Sequence, residues 1–276
     1  MIADSMNDTK WRIIPLEEHD AFTNMALDEA ASEALSRGQK NRDNIRHDEH
    51  DEAIASDSEA PTISFYKWKP SAVSIGCFQS MEDEIDLDVC KKLNVDTVRR
   101  RTGGGAVYHD NFGEITYSVI APESMFPKNI IESYKIICGW IIDSLALIGL
   151  QASFIPINDI IVNNKKISGN AQTRRNRILL QHGTILYDVD VKKMFSLLRV
   201  PDEKIRDKMI ATVEERVTSI TKQNNAITKD HLYEALVKGF TNNKQWQFGK
   251  WSDSEMQRAQ ELAKIRYSTK DWNFSR

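Results

Sequence analysis

A glycine-rich segment over residues 99–110, RRRTGGGAVYHD, contains the first residue types that could act on a ligand. Three consecutive glycines follow a β-rich stretch, and residues without a Cβ allow backbone N–H groups to approach a ligand closely. Arg100, just before them, carries a planar, permanently charged guanidinium that suits phosphate or carboxylate. Taken alone, the triplet favours a simpler explanation, a glycine turn with a solvated basic edge. It is neither a Walker loop nor a GxGxxG motif.

A second segment over residues 158–172, NDIIVNNKKISGNAQ, predicts a hairpin that leads into a strand. Asn163 and Asn164 can adopt the positive φ angles of a tight hairpin turn. Lys165 and Lys166 then enter a strand that ends in Ser-Gly-Asn-Ala, a second place where backbone can come close to a ligand. A turn lysine is usually only solvated. The combination of both segments within ~70 residues of a β core with few charges indicates a binding site.

Composition limits the classes of function. The chain has 276 residues, of which 41% are hydrophobic and 28% charged, a typical globular balance. Its net charge of −3 gives no basic field for nucleic acid or an anionic membrane. No apolar run approaches the ~20 residues that span a bilayer. Cys77, Cys90 and Cys138 are widely spaced, which argues against disulfides and structural zinc. We expect a cytoplasmic protein that binds neither nucleic acid nor membrane.

The elements that must position both segments are strands mixed with helices. Apolar spacing predicts a helix over 22–36, capped by Thr23 or Asn24, and another over 130–150. β-rich runs predict strands near 62–76, 96–101, 115–121, 159–175 and 178–189, and short helices follow, including 229–239 and 252–265. Because no regular βαβ rhythm occurs, we predict an α/β (α+β) fold with a mixed β-sheet flanked by helices, in a single domain over 1–276.

Residues from about 38 to 60 differ from the rest in composition. They include seven acidic and three basic residues and almost nothing apolar. We predict a solvated loop or disordered insertion there. His47 and His50 lie among the acidic residues, and a metal site is conceivable, but a flexible charged loop is the simpler explanation.

Four motifs together, in this order, resemble the lipoate-protein ligase family: FTNMALDEA, RRRTGGGAVYHD, NDIIVNNKKISGNAQ and HGTIL. The resemblance covers Trp11 to about Asn273, apart from the acidic segment. It implies a biotin/lipoate ligase-like fold, similar to the catalytic core of class II aminoacyl-tRNA synthetases. It also implies ATP-dependent activation of lipoate to lipoyl-AMP and transfer of the lipoyl group to a specific lysine of a lipoyl-domain protein.

The resemblance assigns roles to individual residues. Lys166 would be catalytic, because a fixed ammonium offsets the repulsion between the lipoate carboxylate and the α-phosphate of ATP. Asp159 would also bind magnesium, although a carboxylate capping the hairpin is nearly as good an explanation. His182 is better explained as a satisfied strand histidine. The residues that would surround lipoyl-AMP are Arg100, Gly103, Gly104, Gly105, Ala106, Val107, His109, Asn158, Asp159, Ser168, Gly169 and Ala171.

The implied cofactors are ATP and magnesium, with lipoate as substrate. The implied acceptors are 2-oxoacid dehydrogenase E2 subunits and the glycine cleavage carrier protein. Longer ligases of the family continue into a small domain that assists adenylation, whereas this chain ends at Arg276. We therefore expect a separate small accessory protein.

A second resemblance supplies the alternative. The segment HDNFGEITYSV is similar to the corresponding part of octanoyltransferases, which have the same fold and use no ATP. Their cysteine-using group has its nucleophile shortly before the strand that matches 165–172, and residues 153–159, SFIPIND, contain no cysteine. We therefore predict a ligase. The alternatives are an octanoyl- or lipoyltransferase acting from acyl carrier protein, or a non-catalytic lipoate-binding subunit.

Overall fold

The computed structural model describes residues 9–45, 59–200 and 202–276, and its framework consists of two β-sheets. The strands are β1 (Lys10–His19), β2 (Thr62–Trp68), β3 (Ala72–Ile75), β4 (Asp96–Arg99), β5 (Val107–His109), β6 (Glu114–Pro122), β7 (Ala152–Ile155), β8 (Asp159–Val162), β9 (Lys165–Arg175), β10 (Ile178–Leu186) and β11 (Gln245–Phe248). An eight-stranded sheet has the order β11-β1-β2-β6-β10-β9-β8-β7, and a three-stranded sheet has the order β4-β3-β5. In the large sheet, β1 pairs in parallel with β2 and β11. The other neighbours in the order β2-β6-β10-β9-β8-β7 pair antiparallel, so the predicted mixed sheet is confirmed.

Helices flank the large sheet. They are α1 (Ala21–Ile45), α2 (Met81–Glu84), α3 (Leu87–Lys92), α4 (Ile130–Leu147), α5 (Val191–Leu197), α6 (Glu203–Arg216), α7 (Ile220–Gln223), α8 (Lys229–Thr241), α9 (Asp253–Leu262) and α10 (Lys270–Asn273). A 3-10 turn covers Glu123–Met125 and a π turn covers Ala263–Tyr267. None of the helices in the described ranges is long and apolar enough to cross a membrane.

One face of the large sheet carries the main core and packs against α4 and α8. Alternate residues of β6, namely Ile115, Tyr117 and Val119, are buried on this face. Ile141 of α4 and Leu236 of α8 belong to the same cluster. Because successive strand residues point to opposite faces, the polar residues between them on β6 lie on the other side of the sheet. That second face carries α1 and α9, and it also holds the cavity described below.

The first helix differs from its prediction at both ends. It begins at Ala21, and the Asp20 carboxylate caps it by accepting a hydrogen bond from the Thr23 N–H at 2.8 Å, so the predicted caps Thr23 and Asn24 are wrong. The helix continues to Ile45 and includes the first part of the predicted loop at 38–60. Gly38 lies against the Glu59 side chain, where the chain returns. His47 and His50 lie outside the described residues, and the single-domain assignment stays a prediction.

Four strands escape the sequence pattern, namely β1, β5, β7 and β11. β1 alternates weakly, and the other three are only three or four residues long and lie at sheet edges. The hairpin prediction is confirmed, since Asn163 and Asn164 have φ angles of 49° and 60° between β8 and β9. This turn fixes where β9 begins and therefore where its lysines lie.

A buried ion pair joins the beginning of the chain to its end. The Arg12 guanidinium on β1 donates to both carboxylate oxygens of Glu255 on α9, at 2.8 and 2.6 Å, and to Thr62 Oγ1. Both side chains are almost fully buried. Glu255 also completes a capping box with Ser252 at the start of α9. The pair therefore attaches α9 to the parallel edge of the large sheet.

We expect Glu255→Gln to lower the free energy of unfolding by about 3–5 kcal/mol, because it leaves the Arg12 charge buried without its counter-ion. Glu261→Ala is the matched control. Glu261 is on the same helix but is 54% exposed in its ion pair with Arg258, so its loss should cost less than about 1 kcal/mol. Urea denaturation of both variants measures the difference, and equal effects would contradict the importance of the buried pair.

Candidate active site

A cavity of about 350 Å³ lies between the large sheet and the three-stranded sheet. Residues of β2, β6, β9 and β10 form one side, while β3, β5 and the glycine-rich segment form the other. Its volume is in the range of small-molecule sites. Much of the wall is apolar, and its apolar lining residues include Met25, Trp68, Ala106, Val107, Ala171, Leu186, Val189, Met194, Val213 and Val217. Such a wall suits a hydrocarbon chain.

Most of the predicted site residues meet at this cavity. Those that line it are Arg100, Gly104, Gly105, Ala106, Val107, His109, Asn158, Lys166, Gly169 and Ala171. Gly103, Asp159 and Ser168 do not line it. Ser168 is fully buried on β9, and its hydroxyl has no hydrogen-bond partner among the described residues. The two segments that the sequence singled out therefore converge.

A β-bulge brings Lys166 to the cavity. Ile160 of β8 pairs with Ser168, but Ile161 pairs with Lys166, so Ile167 is an extra residue on β9. In a regular strand, residues 166 and 169 would point to opposite faces, because the side-chain period is two. The bulge corrects this, and both Lys166 and Gly169 line the cavity.

The Lys166 ammonium is held by Asp159. Its Nζ lies 2.7 Å from Asp159 Oδ1, and the two side chains are 39% and 35% exposed. A Cβ at Gly169 would come within 2.8 Å of Lys166 Cε, so the absence of a side chain at residue 169 gives the lysine its path. Asp159 does not line the cavity, and it contributes to the site by holding the lysine ammonium. A cation with one anionic partner is thus presented beside the apolar wall.

Arg100 lines the cavity, and its guanidinium is hydrogen-bonded within the protein. Its Nε donates to Thr102 Oγ1, its Nη1 to Ser74 O and Oγ, and its Nη2 to the carbonyls of Gly103 and Gly105. All five donors of the guanidinium are therefore engaged within the protein. Burial lowers the pKa of Arg100 to about 10. The side chain therefore fixes the glycine-rich loop, and the predicted contact of Arg100 with a ligand stays a prediction.

The middle glycine of the triplet is required by this arrangement. Gly104 has a φ of +97°, a conformation that residues with a side chain rarely adopt. A Cβ there would also lie 2.8 Å from Arg100 Nη2. The loop and the guanidinium therefore depend on each other.

His109 is bonded at both ring nitrogens. Its Nδ1 lies 2.7 Å from Glu114 Oε1 and its Nε2 lies 2.8 Å from Ser74 Oγ. The ring stacks on Trp68 with centroids 4.0 Å apart and planes 14° apart. His109 lines the cavity as predicted, yet its polar atoms face Ser74 and Glu114.

His182 is satisfied in the same way, as expected for a strand histidine. Its Nε2 lies 2.7 Å from Thr102 Oγ1 and its Nδ1 lies 3.0 Å from Asp28 Oδ2. The ring lines the cavity, whereas Thr102 and Asp28 do not. Arg100 thus contacts the hydroxyl end of two hydroxyl–imidazole–carboxylate chains.

Asn158 helps to shape the wall near Lys166. Its side chain donates to the Asn170 carbonyl, and Asn170 Nδ2 returns a hydrogen bond of 2.8 Å to the Asn158 carbonyl. Asn170 Oδ1 also accepts from the Tyr117 hydroxyl at 2.7 Å. The loop before β8 is thereby fixed to β9.

Several site residues are absent from the prediction. They are Ser74, Trp68, Glu114 and Asn170, all of which line the cavity. A polar residue inside an otherwise apolar strand, as Ser74 is in AVSIG, is a signal that could have found some of them.

The residues present do not form a ready site for magnesium or for the phosphates of ATP. Among the described residues there is no group of three His, Cys, Asp or Glu side chains that could hold a metal. Asp159 supplies one carboxylate, and Lys166 already neutralises it. The Arg100 donors all bond to protein oxygens. Asp159 as a magnesium ligand stays a prediction.

None of the three thiols is placed for chemistry in the cavity, since no cysteine lines it. Burial raises the pKa of the Cys90 thiol to about 11 and that of Cys138 to about 12. Cys77 is partly exposed but lies outside the lining. A thiolate nucleophile is therefore not provided.

Comparison with known proteins identifies relatives of the whole chain. Octanoyltransferase LipM of Brevibacillus brevis is 32% identical over 295 residues, covering 97% of this chain and 99% of the relative. LipM of Clostridioides difficile is also 32% identical, with 97% and 99% covered. Among solved structures, a bipartite lipoate protein ligase from Thermoplasma acidophilum has 31% identity and a TM-score of 0.79, with 96% of both chains covered. These likenesses confirm the predicted fold.

The relatives also overturn a prediction. ATP-dependent ligation of lipoate, the main activity inferred from the sequence, is wrong, because the full-length curated relatives at about 32% identity are octanoyltransferases. Two similar solved structures hold the expected ligands, lipoic acid in a putative lipoate protein ligase from T. acidophilum and ATP in lipoate-protein ligase A. The use of ATP and magnesium by this chain stays a prediction. What the comparisons support is a protein-modifying enzyme of the group that includes lipoate ligases and octanoyltransferases.

The model of the family described as lipoyl protein ligase A/B catalytic domain matches residues 20–241. This range contains both motif segments, every strand that lines the cavity and the lysine on the bulged strand. Since the match runs from the residue that caps the first helix to the last residue of α8, the chain belongs to the lipoyl protein ligase A/B catalytic domain family.

Proposed function

We propose that this enzyme transfers an octanoyl group from a thioester on acyl carrier protein to a lysine of a lipoyl-domain protein. The observation that carries the proposal is the convergence of an apolar cavity wall and one lysine–aspartate pair in a chain whose full-length relatives are octanoyltransferases. The wall would accept the eight-carbon chain, and the ammonium would lie where the acyl carbonyl reacts.

Lys166 fits the role of an electrostatic catalyst. When a nucleophile attacks an acyl carbonyl, negative charge develops on the carbonyl oxygen, and a fixed donor beside that oxygen stabilises it. Asp159 holds the ammonium in one position at 2.7 Å, so less reorganisation is needed during the reaction. The bulge in β9 provides this placement.

The chemistry of the donor explains why an arginine fork for phosphate is not needed. A thioester is already activated for acyl transfer, so the reaction requires neither ATP nor magnesium. This agrees with the engagement of every Arg100 donor by protein oxygens. The accessory protein that an adenylating enzyme would need has no step in such a reaction.

The acceptors that we propose are lipoyl domains, such as those of 2-oxoacid dehydrogenase E2 subunits and the glycine cleavage carrier protein. The bipartite ligase from T. acidophilum belongs to a lipoylation system with an E2 lipoyl domain, which supports an acceptor of this kind. A cytoplasmic location remains a prediction from the spacing of the cysteines.

The purified chain should convert a lipoyl domain to its N-octanoyl form when supplied with octanoyl-acyl carrier protein and no nucleotide. Intact-mass measurement of the lipoyl domain follows the reaction, and a lipoyl domain with its target lysine replaced by arginine is the control. Modification that occurs only with ATP and free octanoate or lipoate would contradict the proposal.

Lys166→Ala should lower the rate of transfer on the order of a hundredfold, because one charged donor is lost from the carbonyl oxygen in the transition state. Lys165→Ala is the matched control. It removes the neighbouring lysine, whose Nζ contacts the Glu214 carbonyl and does not line the cavity. Comparable losses in the two variants, with folding verified by circular dichroism, would remove the assignment of Lys166.

The Cys77→Ser variant should keep its transfer activity, and iodoacetamide at pH 8 should not abolish it. The remaining thiols, Cys90 and Cys138, are buried, with pKa values raised to about 11 and 12, so they react slowly. Rapid inactivation of this variant by iodoacetamide, with alkylation at either cysteine, would show that the reaction uses a thiol after all.

A further inference from the structure

Ser74, His109 and Glu114 form a chain of hydrogen bonds at the wall of the cavity. Ser74 Oγ is 2.8 Å from His109 Nε2, and His109 Nδ1 is 2.7 Å from Glu114 Oε1. A hydroxyl, an imidazole and a carboxylate in this order are the parts of an activated nucleophile, which is recognised by geometry and not by sequence position. We propose that Ser74 is the nucleophile of this enzyme and carries the acyl group as an ester between donor and acceptor.

The hydrogen-bond network determines which ring nitrogen of His109 carries the proton. The Glu114 carboxylate accepts from the Thr116 hydroxyl at 2.8 Å as well as from His109 Nδ1–H. With its proton on Nδ1, the neutral imidazole offers the Nε2 lone pair to the Ser74 hydroxyl. Stacking on Trp68 holds the ring in this orientation. His109 is therefore arranged as a base for Ser74.

Arg100 adds a positive charge beside the nucleophile. Its Nη1 lies 3.1 Å from Ser74 Oγ, so the guanidinium stabilises negative charge that develops on the serine oxygen. Ser74 is only 1% exposed. Because the cavity limits access of bulk water, an ester formed there is protected from hydrolysis until the acceptor amine enters.

A second chain of the same kind, Thr102–His182–Asp28, shows why Ser74 is preferred. Its distances are 2.7 and 3.0 Å, and Thr102 also contacts Arg100. Neither Thr102 nor Asp28 lines the cavity, whereas all three members of the Ser74 chain do. Only Ser74 can therefore meet an acyl group bound in the cavity.

The proposed steps rest on the acyl transfer proposed above, and they balance. Ser74 Oγ bonds to the thioester carbonyl carbon while His109 Nε2 takes the hydroxyl proton. The carbon–sulfur bond breaks, the thiolate receives that proton, and an octanoyl ester of Ser74 remains. The acceptor lysine amine then attacks the ester carbon and gives a proton to His109. Ser74 leaves with a proton from His109, and an amide is formed.

The test begins with the full chain and octanoyl-pantetheine, without a lipoyl domain. After an acid quench, peptide mass spectrometry should find one octanoyl group on the peptide that contains Ser74. The ester should resist neutral hydroxylamine, and adding a lipoyl domain should discharge it with formation of N-octanoyl lysine. In Ser74→Cys the group should become labile to neutral hydroxylamine, because it is then a thioester.

Ser74→Ala should remove the ester and lower transfer by roughly a thousandfold. Ser64→Ala is the matched control, since Ser64 is a buried serine on β2 that does not line the cavity, and its hydroxyl has no partner within the described ranges. It should be acylated like the unmodified chain.

Two results would overturn the proposal. One is transfer to the lipoyl domain at an undiminished rate by Ser74→Ala, and the other is transfer by the unmodified chain without octanoyl on Ser74 in the acceptor-free sample. An ester on Ser74 without lysine modification would support the nucleophile and reject the proposed acceptor instead. The acceptor and the nucleophile are thus tested separately.

Discussion

The structure of the site depends on one buried cation. The Arg100 guanidinium bonds to two carbonyls of the glycine-rich loop, to the Ser74 carbonyl and to the hydroxyls of Ser74 and Thr102. A buried charge without hydrogen bonds is very costly, so all of these hydrogen bonds to the guanidinium must form together. The carboxylates of Glu114 and Asp28 are linked to the guanidinium indirectly, through hydrogen bonds to the rings of His109 and His182. The Arg100 side chain therefore joins the glycine-rich loop, both histidines and the three-stranded sheet.

On the opposite wall of the cavity, an irregularity in the backbone of β9 positions the reactive side chain, Lys166. An asparagine turn determines the start of β9, and the extra residue after Lys166 rotates that lysine to the face occupied by Gly169. A regular hairpin with the same residues would send the ammonium to the other face of the sheet. The acyl site thus combines a rigid, fully hydrogen-bonded wall with a lysine whose position is set by a bulge.

Some of this arrangement is predictable from the sequence and some is not. The mixed sheet, the hairpin and the convergence of the two motif segments follow from local patterns such as Asn163-Asn164 and the glycine triplet. The hydrogen bonds of Arg100 are not predictable in this way. Three of its five partners are backbone carbonyls, which every residue type has. The bulge at Ile167 is equally hidden, and so is the pairing of the short edge strands. The predicted ligase activity is wrong, because both reactions place an acyl carbonyl beside a lysine and the absence of a cysteine from residues 153–159 does not exclude transfer.

The ion pair between Arg12 and Glu255 spans 243 residues of the chain. During synthesis β1 is made 243 residues before the carboxylate that neutralises its buried arginine. β11, one of the two parallel neighbours of β1, is also made late. Long-range pairing of this kind slows folding, because loop closure precedes the contacts that stabilise it. The nascent chain therefore carries an unpaired strand edge and an uncompensated charge until α9 and β11 have been made, and this is the interval in which a chaperone would have most to protect.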